Sequence, residues 1–270
     1  MKLSFIGTGV MGGAIARAVC AAAEPAAVYV SNRSLAKAEA LAEELGCNVC
    51  PTNPDCARDA DYIFLGVKPN MIRDVLREIA PVLHSGQVIV SMAAGVTGDA
   101  MRETLTEASP LLRTVPIVRI LPNTPCAIGK GLMLIAPCGE VSPEALTALS
   151  SLLAPCGLIG YTDEAHADAG MVVGGCTPAY TYMFIEALAD GAVRCGLPRQ
   201  DALAWAAQSV AGAAELLLKS GVHPGALKDA VCSPGGSTIE GVLTLEAGAF
   251  RGTVMDAVGA AWEKTKALGK

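Results

Sequence analysis

Two short segments of the 270-residue chain carry residue types whose spacing could do chemistry. In the first, Gly7-Thr8-Gly9-Val10-Met11-Gly12, the glycines are spaced G-x-G-x-x-G between the apolar run Leu3–Ile6 and a helical stretch. The first glycine allows a tight turn, the second lets a pyrophosphate approach the backbone, and the third lets helix and strand pack closely. Backbone N–H groups at the helix start, aided by the helix dipole, then hold phosphates, so Gly7, Gly9, Val10, Met11 and Gly12 are expected at a dinucleotide. About 20 residues further on, an NAD site usually places an acid on the ribose hydroxyls. Here the next strand runs out into Ser31-Asn32-Arg33-Ser34, which contains no carboxylate. Arg33 can pair with a 2′-phosphate, and Asn32 and Ser34 can hydrogen-bond it. The expected cofactor is therefore NADP, with NAD as the second candidate. The competing reading leaves Arg33 as a solvated turn residue.

The second segment is Ser233-Pro234-Gly235-Gly236-Ser237-Thr238, leading into a helix. Two glycines followed by hydroxyl residues at a helix start offer several N–H donors to a small carboxylate. Equally, Ser-Pro-Gly-Gly is an ordinary turn and Ser237 could merely cap the next helix. Arg119-Ile120-Leu121-Pro122-Asn123-Thr124-Pro125, Val67-Lys68-Pro69 and Ser91-Met92-Ala93-Ala94-Gly95 end three apolar runs. Open α/β sheets bind ligands at the carboxyl ends of their strands, so Val67, Lys68, Pro69, Ala93, Ala94 and Asn123 would form a rim around a nicotinamide ribose.

Other chemistries find little support. The single Cys-x-x-Cys, Cys47 to Cys50, has no second pair or nearby His, and no metal is expected. Hydrolase and zinc-protease motifs are missing from the sequence. His84 and His223 read as polar surface or capping residues. His166, between Glu164 and Asp168, is a proton-transfer candidate weighed against a structural role.

The elements that must position these residues follow from periodicity. Strands are predicted at Leu3–Ile6, Val28–Ser31, Tyr62–Val67, Val88–Met92, Ile117–Leu121, Leu132–Ala136 and Gly157–Gly160, with helices at Gly12–Ala23, Leu35–Leu45, Met71–Ala80 and Pro143–Leu153. This alternation is the βαβ signature of a parallel sheet. Ser142-Pro143 is a typical helix start. After Asp163 strand-like runs stop and helical periodicity continues almost to Lys270, broken at Gly196–Pro198, Gly221–Pro224 and Ser233–Ser237. The expected domains are 1–161 and 162–270. Ala179–Val193 and Gln200–Leu218 are apolar on more than one face, as in helices buried on all sides, here by a partner subunit.

Composition agrees. Apolar residues make up 52% and charged residues 17%, which excludes a disordered or nucleic-acid-coating chain and leaves apolar surface to hide between subunits. A net charge of −6 gives no attraction to nucleic acid or anionic membrane. Ten cysteines in a long chain, mostly inside apolar stretches, read as buried thiols of a cytoplasmic protein. Glycines and Arg17 interrupt the N-terminal apolar run, so no secretory signal is expected.

The glycine loop Ile6–Gly12, Val67-Lys68-Pro69, Ala93-Ala94-Gly95, Leu121-Pro122-Asn123-Thr124-Pro125, Pro178-Ala179-Tyr180, Glu186–Gly191 and Leu227-Lys228-Asp229 through Ser233–Ile239 together resemble pyrroline-5-carboxylate reductase over essentially the whole chain. Ser-Pro-Gly-Gly-x-Thr is the most specific element. The resemblance implies an α/β fold: an N-terminal Rossmann dinucleotide-binding domain followed by an all-helical C-terminal dimerisation domain. It also implies reduction of 1-pyrroline-5-carboxylate to L-proline with NADPH or NADH, and a homodimer assembled further into a decamer of five dimers. By the same resemblance Thr238 would hydrogen-bond the ring nitrogen, and Ser233, Gly236, Ser237 and Thr238 would surround the carboxylate. Glu164 would line that pocket, while Asn53, Val67, Lys68 and Ala94 would touch the cofactor. One stretch departs from the family's Thr-x-x-Ser-Gly-Ser-Gly-Pro-Ala-Tyr: Met171, Gly174 and Cys176 stand for Thr, Ser and Ser, and Thr177 stands for Gly. The alternatives are a reductase of another cyclic imine or keto acid, and a non-catalytic NADP-binding regulator.

Overall fold

The computed structural model of the chain describes residues 1–268. Elements alternate through the first half: β1 (Leu3–Ile6), α1 (Val10–Ala22), β2 (Val28–Ser31), α2 (Leu35–Leu45), β3 (Asn48–Val49), α3 (Asn53–Ala57), β4 (Tyr62–Leu65), α4 (Ile72–Ile79), β5 (Val88–Ser91), α5 (Gly98–Ala108), β6 (Ile117–Pro122), β7 (Gly131–Cys138), α6 (Pro143–Leu153), β8 (Gly157–Tyr161) and α7 (Glu164–Met171). The eight strands form one sheet in the order β3-β2-β1-β4-β5-β6-β7-β8.

Helices cover both faces of that sheet because the strands are apolar on both faces. Phe5, Tyr62, Phe64, Val88, Val90, Val118 and Ile120 join one buried cluster with residues of α1, α2 and α6. Their neighbours Ile6, Ile63, Leu65, Ile89 and Ile117 join a second cluster with α3, α4 and α5. The alternation is the period of two of an extended strand. Phe5 and Phe64, opposite each other in the β1–β4 register, stack with centroids 4.4 Å apart.

The sheet is not wholly parallel. β7 runs antiparallel to β6, with Ile117 opposite Cys138. Residues 123–130, which join the two strands, hold only a short 3₁₀ turn, and a parallel connection needs a crossover of a dozen residues or more. The 3₁₀ turn packs on α1 and β7, and α6 then returns the chain to β8, parallel to β7.

Side-chain caps start several helices. Ser142 Oγ accepts from the Ala145 N–H at 3.2 Å, as its place before Pro143 predicts. Thr52 and Thr97 cap α3 and α5 in the same way. Both of those helices were missing from the sequence expectation.

A π-helical turn, Val172–Cys176, follows α7. Then come α8 (Thr177–Arg194), α9 (Arg199–Ser220), α10 (Pro224–Ala230), α11 (Ser237–Ala247) and α12 (Phe250–Leu268). Contacts divide the chain into two compact units, Met1–Cys176 with the segment from Ala261 on, and Thr177–Ala260. The change in sequence texture at Asp163 thus precedes the break between units, because α7 and the π-turn still belong to the first. Within the second unit only Ala189 and Ala202 are buried. Among the described residues no helix is long and apolar enough to cross a membrane.

Candidate cofactor edge and substrate turn

The glycine turn is built around one carbonyl. Gly7 sits at φ +91°, a conformation that favours glycine, and its N–H donates to the Ser31 carbonyl at 2.8 Å, tying β1 to β2. A Cβ on Gly12 would lie 2.2 Å from the Gly7 oxygen, and one on Gly66 would lie 2.3 Å from the same atom. Val67 flanks the turn, since a Cβ on Gly7 would stand 2.7 Å from its Cγ1. Gly66 therefore belongs to the motif, although sequence reasoning passed over it. Its signal was a glycine directly after the apolar run Tyr62–Leu65.

Gly9 faces open space, and it caps α1 with no side chain on the helix's first N–H groups. Those donors, from Val10, Met11 and Gly12, have no partner within the helix. An anion such as a pyrophosphate fits this cradle, because backbone and dipole present positive charge where no side chain blocks approach.

At the end of β2, Asn32 Nδ2 donates to Thr8 Oγ1 at 2.9 Å, which links the specificity loop to the glycine turn. Ser31 Oγ donates to Asn53 Oδ1 at 2.8 Å, and Asn53 Nδ2 donates to Glu78 Oε2 at 2.7 Å. Asn53 thus has both ends of its amide engaged by protein. Arg33 and Ser34 are exposed, Ser34 makes no capping bond with its side chain, and the first turn of α2 holds no acid. This corner therefore offers a guanidinium and a free hydroxyl, with no carboxylate to repel a 2′-phosphate.

Further along the edge, Lys68 and Pro69 stand exposed after β4. Ala93 is buried after β5, where its N–H donates to Ser91 Oγ at 3.3 Å, and Gly95 turns the chain at φ +71°. Asn123, at the end of β6, donates from Nδ2 to the Gly174 carbonyl at 3.0 Å and accepts the Leu132 N–H at 2.9 Å.

Behind this edge lies an ionic cluster that sequence reasoning did not assemble. Arg119 is 1% exposed and pairs with Asp168 Oδ1 at 2.8 Å and Glu164 Oε1 at 3.6 Å. Glu164 also accepts the Gly98 N–H, capping α5 from α7. Burial, and next the Glu164 charge, push the Cys138 thiol up to about 12, so Cys138 stays protonated and donates to the Ala136 carbonyl at 3.6 Å. Glu164, expected at the substrate, is thus engaged by Arg119 and Gly98. His166 instead sits exposed beside Asp163, whose carboxyl is held below its ordinary range chiefly by the His166 backbone N–H. His223 caps α10, accepting the Gly225 N–H on Nδ1 at 3.1 Å. Cys47 and Cys50 turn to different neighbours, Cys20 and Cys56.

In the second unit, Gly235 at φ +70° and a Gly236 N–H donated to the Ser233 carbonyl at 2.9 Å form the turn before α11. The cap is Gly236, not Ser237, and no side chain satisfies the helix's first N–H groups. Ser233, Ser237 and Thr238 are exposed. The two hydroxyls of the first turn and the open N–H groups form a donor-rich corner suited to a carboxylate.

Residues 164–268 match the family described as pyrroline-5-carboxylate reductase dimerisation, and residues 2–95 match NADP oxidoreductase coenzyme F420-dependent. Pyrroline-5-carboxylate reductase of Escherichia coli is 39% identical, covering 100% of this chain and 98% of that protein. A pyrroline-5-carboxylate reductase structure from Coxiella burnetii superposes with a TM-score of 0.91 at 30% identity, covering 100% and 98% of the two chains. The Plasmodium falciparum pyrroline carboxylate reductase, solved with NADP bound, gives 0.86 at 32% identity over 100% and 98%. The chain belongs to the pyrroline-5-carboxylate reductase family.

Proposed function

We propose that this chain reduces 1-pyrroline-5-carboxylate to L-proline with NADPH, the last step of proline biosynthesis, using the Rossmann edge for the cofactor and the Ser233–Thr238 turn for the substrate. The observation that carries the substrate half is the cap of α11. Gly236 leaves the first N–H groups of that helix open beside the Ser237 and Thr238 hydroxyls. A substrate carboxylate takes the N–H groups, and Thr238 Oγ holds the ring nitrogen next to it.

In this reading residues 1–161 carry the cofactor and residues 162–270 dimerise and take the substrate. Gly7, Gly9 and Gly12 shape the pyrophosphate cradle, and Val10 and Met11 add N–H donors. Arg33, with Asn32 and Ser34, meets the 2′-phosphate. Val67, Lys68, Pro69, Ala93 and Ala94 border the nicotinamide ribose. When bound, the cofactor supplies the hydride. The chain's own contribution is orientation: Thr238 holds the imine nitrogen, which keeps the proton that balances the new C–H bond. No nucleophile is required. Asn53 and Glu164 have their side chains engaged within the protein and support the edge from behind, while Asn123 is engaged by Gly174 and Leu132.

The chain is a homo-oligomer through its dimerisation domain. The assembly that the resemblance implies is a homodimer, five of which make a decamer, and the cysteine usage points to the cytoplasm. A second reading, reduction of a related cyclic imine or keto acid, is favoured by Met171, Gly174, Cys176 and Thr177, where family hydroxyls and a glycine are replaced. Steady-state assays with NADPH and NADH on a panel of cyclic imines and keto acids decide between them. Highest kcat/KM on 1-pyrroline-5-carboxylate supports the first reading. Preference for another imine establishes the second, and no oxidation on any substrate sinks both.

A further inference from the structure

We infer that Asn123 is a positioning residue: its amide clamps the π-helical turn Val172–Cys176 to strand β7, and through that turn governs substrate affinity, not cofactor affinity. The functional half of this inference rests on the proposed reading that the replacements at Met171, Gly174, Cys176 and Thr177 bear on which substrate is taken.

The amide has little capacity left for a ligand. A neutral Asn side chain offers two N–H donors and one oxygen with two lone pairs. Nδ2 donates to the Gly174 carbonyl at 3.0 Å, and Oδ1 accepts the Leu132 N–H at 2.9 Å. The Cys126 thiol approaches the same oxygen at 3.8 Å. Both lone pairs are taken and one N–H remains.

What the amide joins explains why a side chain is needed. Widening a helix from α to π spacing lengthens each hydrogen-bonded ring, and such single turns recur at functional sites. Here the end of α7 and the π-turn approach β7 closely because glycines face its leucines. A Cβ on Gly174 would come within 3.2 Å of Leu132 Cδ2, and one on Gly170 within 2.5 Å of Leu134 Cδ1. Apolar contact alone would let the turn slide along those leucines. Asn123 bonds the Gly174 carbonyl and the Leu132 N–H with one rigid planar group, so turn and strand are fixed in one register. Gly131, next to Leu132, must be glycine for the same reason, since its Cβ would meet Asn123 Oδ1 at 2.8 Å and Cys126 Sγ at 2.3 Å.

Asn123→Asp tests the clamp with little change of volume. The carboxylate keeps an acceptor for Leu132 but sets oxygen against oxygen at Gly174. Hydrogen–deuterium exchange of the peptide spanning 172–176 is expected to quicken by about tenfold. KM for 1-pyrroline-5-carboxylate should rise by about tenfold, while the NADPH dissociation constant stays within about twofold. Asn123→Ala should show the same split; if it does not fold, the Asp variant still decides. Unchanged exchange overturns the clamp. Parallel weakening of NADPH binding and KM makes Asn123 a cofactor ligand and overturns the division of roles. If the wild type turns over a different imine, the proposed substrate falls. The exchange arm, and KM for that imine, then decide the clamp separately.

Discussion

The two compact units are held together in different ways. In the first, both faces of the sheet are covered and two apolar clusters close around it, with Phe5, Phe64, Leu65 and Ile89 all at 1% exposure or less. In the second, helices that are mostly longer bury only two alanines, while Met183, Trp205, Leu218 and Met255 stand more than half exposed in the single chain. Sequestering each such side chain is worth roughly 1.5–3 kcal/mol. A helix apolar on all sides needs a cover, and the dimerisation family to which this segment belongs supplies it as a second copy. One region is closed by its own chain and carries the proposed cofactor edge. The other leaves apolar surface for a second copy and carries the proposed substrate turn.

The largest expected effects come from breaking one region while sparing the other. Gly12→Ala forces a Cβ to 2.2 Å from the Gly7 carbonyl, with backbone on both sides and nothing flexible to yield. NADPH affinity, read by fluorescence titration, should fall by about 10²-fold or more, while the sedimenting mass stays that of the wild-type oligomer. A variant that dissociates instead would mean that the regions are not separable. The reverse experiment is Trp205→Glu with Leu216→Glu, two exposed positions on α9. Sedimentation should show single chains, and turnover should be lost while NADPH still binds within about threefold of wild type, since a desolvated charge at a packed interface costs several kcal/mol. An intact oligomer would place the cover elsewhere.

A smaller effect sharpens the cofactor edge itself. Arg33→Ala should weaken NADPH binding by about 10- to 100-fold and leave NADH within about twofold, because one charge-assisted pair to the 2′-phosphate is removed. Unchanged affinity for both cofactors would return Arg33 to a solvated turn, and equal losses would place it on a part that the two cofactors share.

Much of the first region was legible because local rules act there alone. The bounds of β1, β2, α2 and α6 follow from alternation, from Ser142-Pro143 and from Gly46, which ends α2 at φ +68°. α3 and α5 could have been found from Thr52 and Thr97, each three residues before the N–H that it caps. The antiparallel turn of β7 was readable in principle from the short 123–130 connection. The Arg119 cluster was not, since Asp168 lies 49 residues away and only the fold brings it to β6. The π-turn was equally hidden: Val172-Val173-Gly174-Gly175-Cys176 has no period that distinguishes π from α spacing, and its clamp comes from Asn123, 51 residues earlier. For the substrate turn the motif was legible but its cap was not. Ser237 is the better capping residue by type, yet Gly236 takes that place and leaves the N–H groups open.

The central claim is that the substrate imine is oriented by Thr238 while the cofactor is held independently by the Rossmann edge. Its most direct test is kcat/KM for 1-pyrroline-5-carboxylate alongside NADPH titration, for wild type, Thr238→Ala and Thr238→Ser. The account predicts a loss of about 10²-fold in the alanine variant, recovery of most of it with serine, and an NADPH dissociation constant unchanged throughout. Turnover of the alanine variant within about threefold of wild type, or NADPH binding that falls in step with turnover, would contradict it.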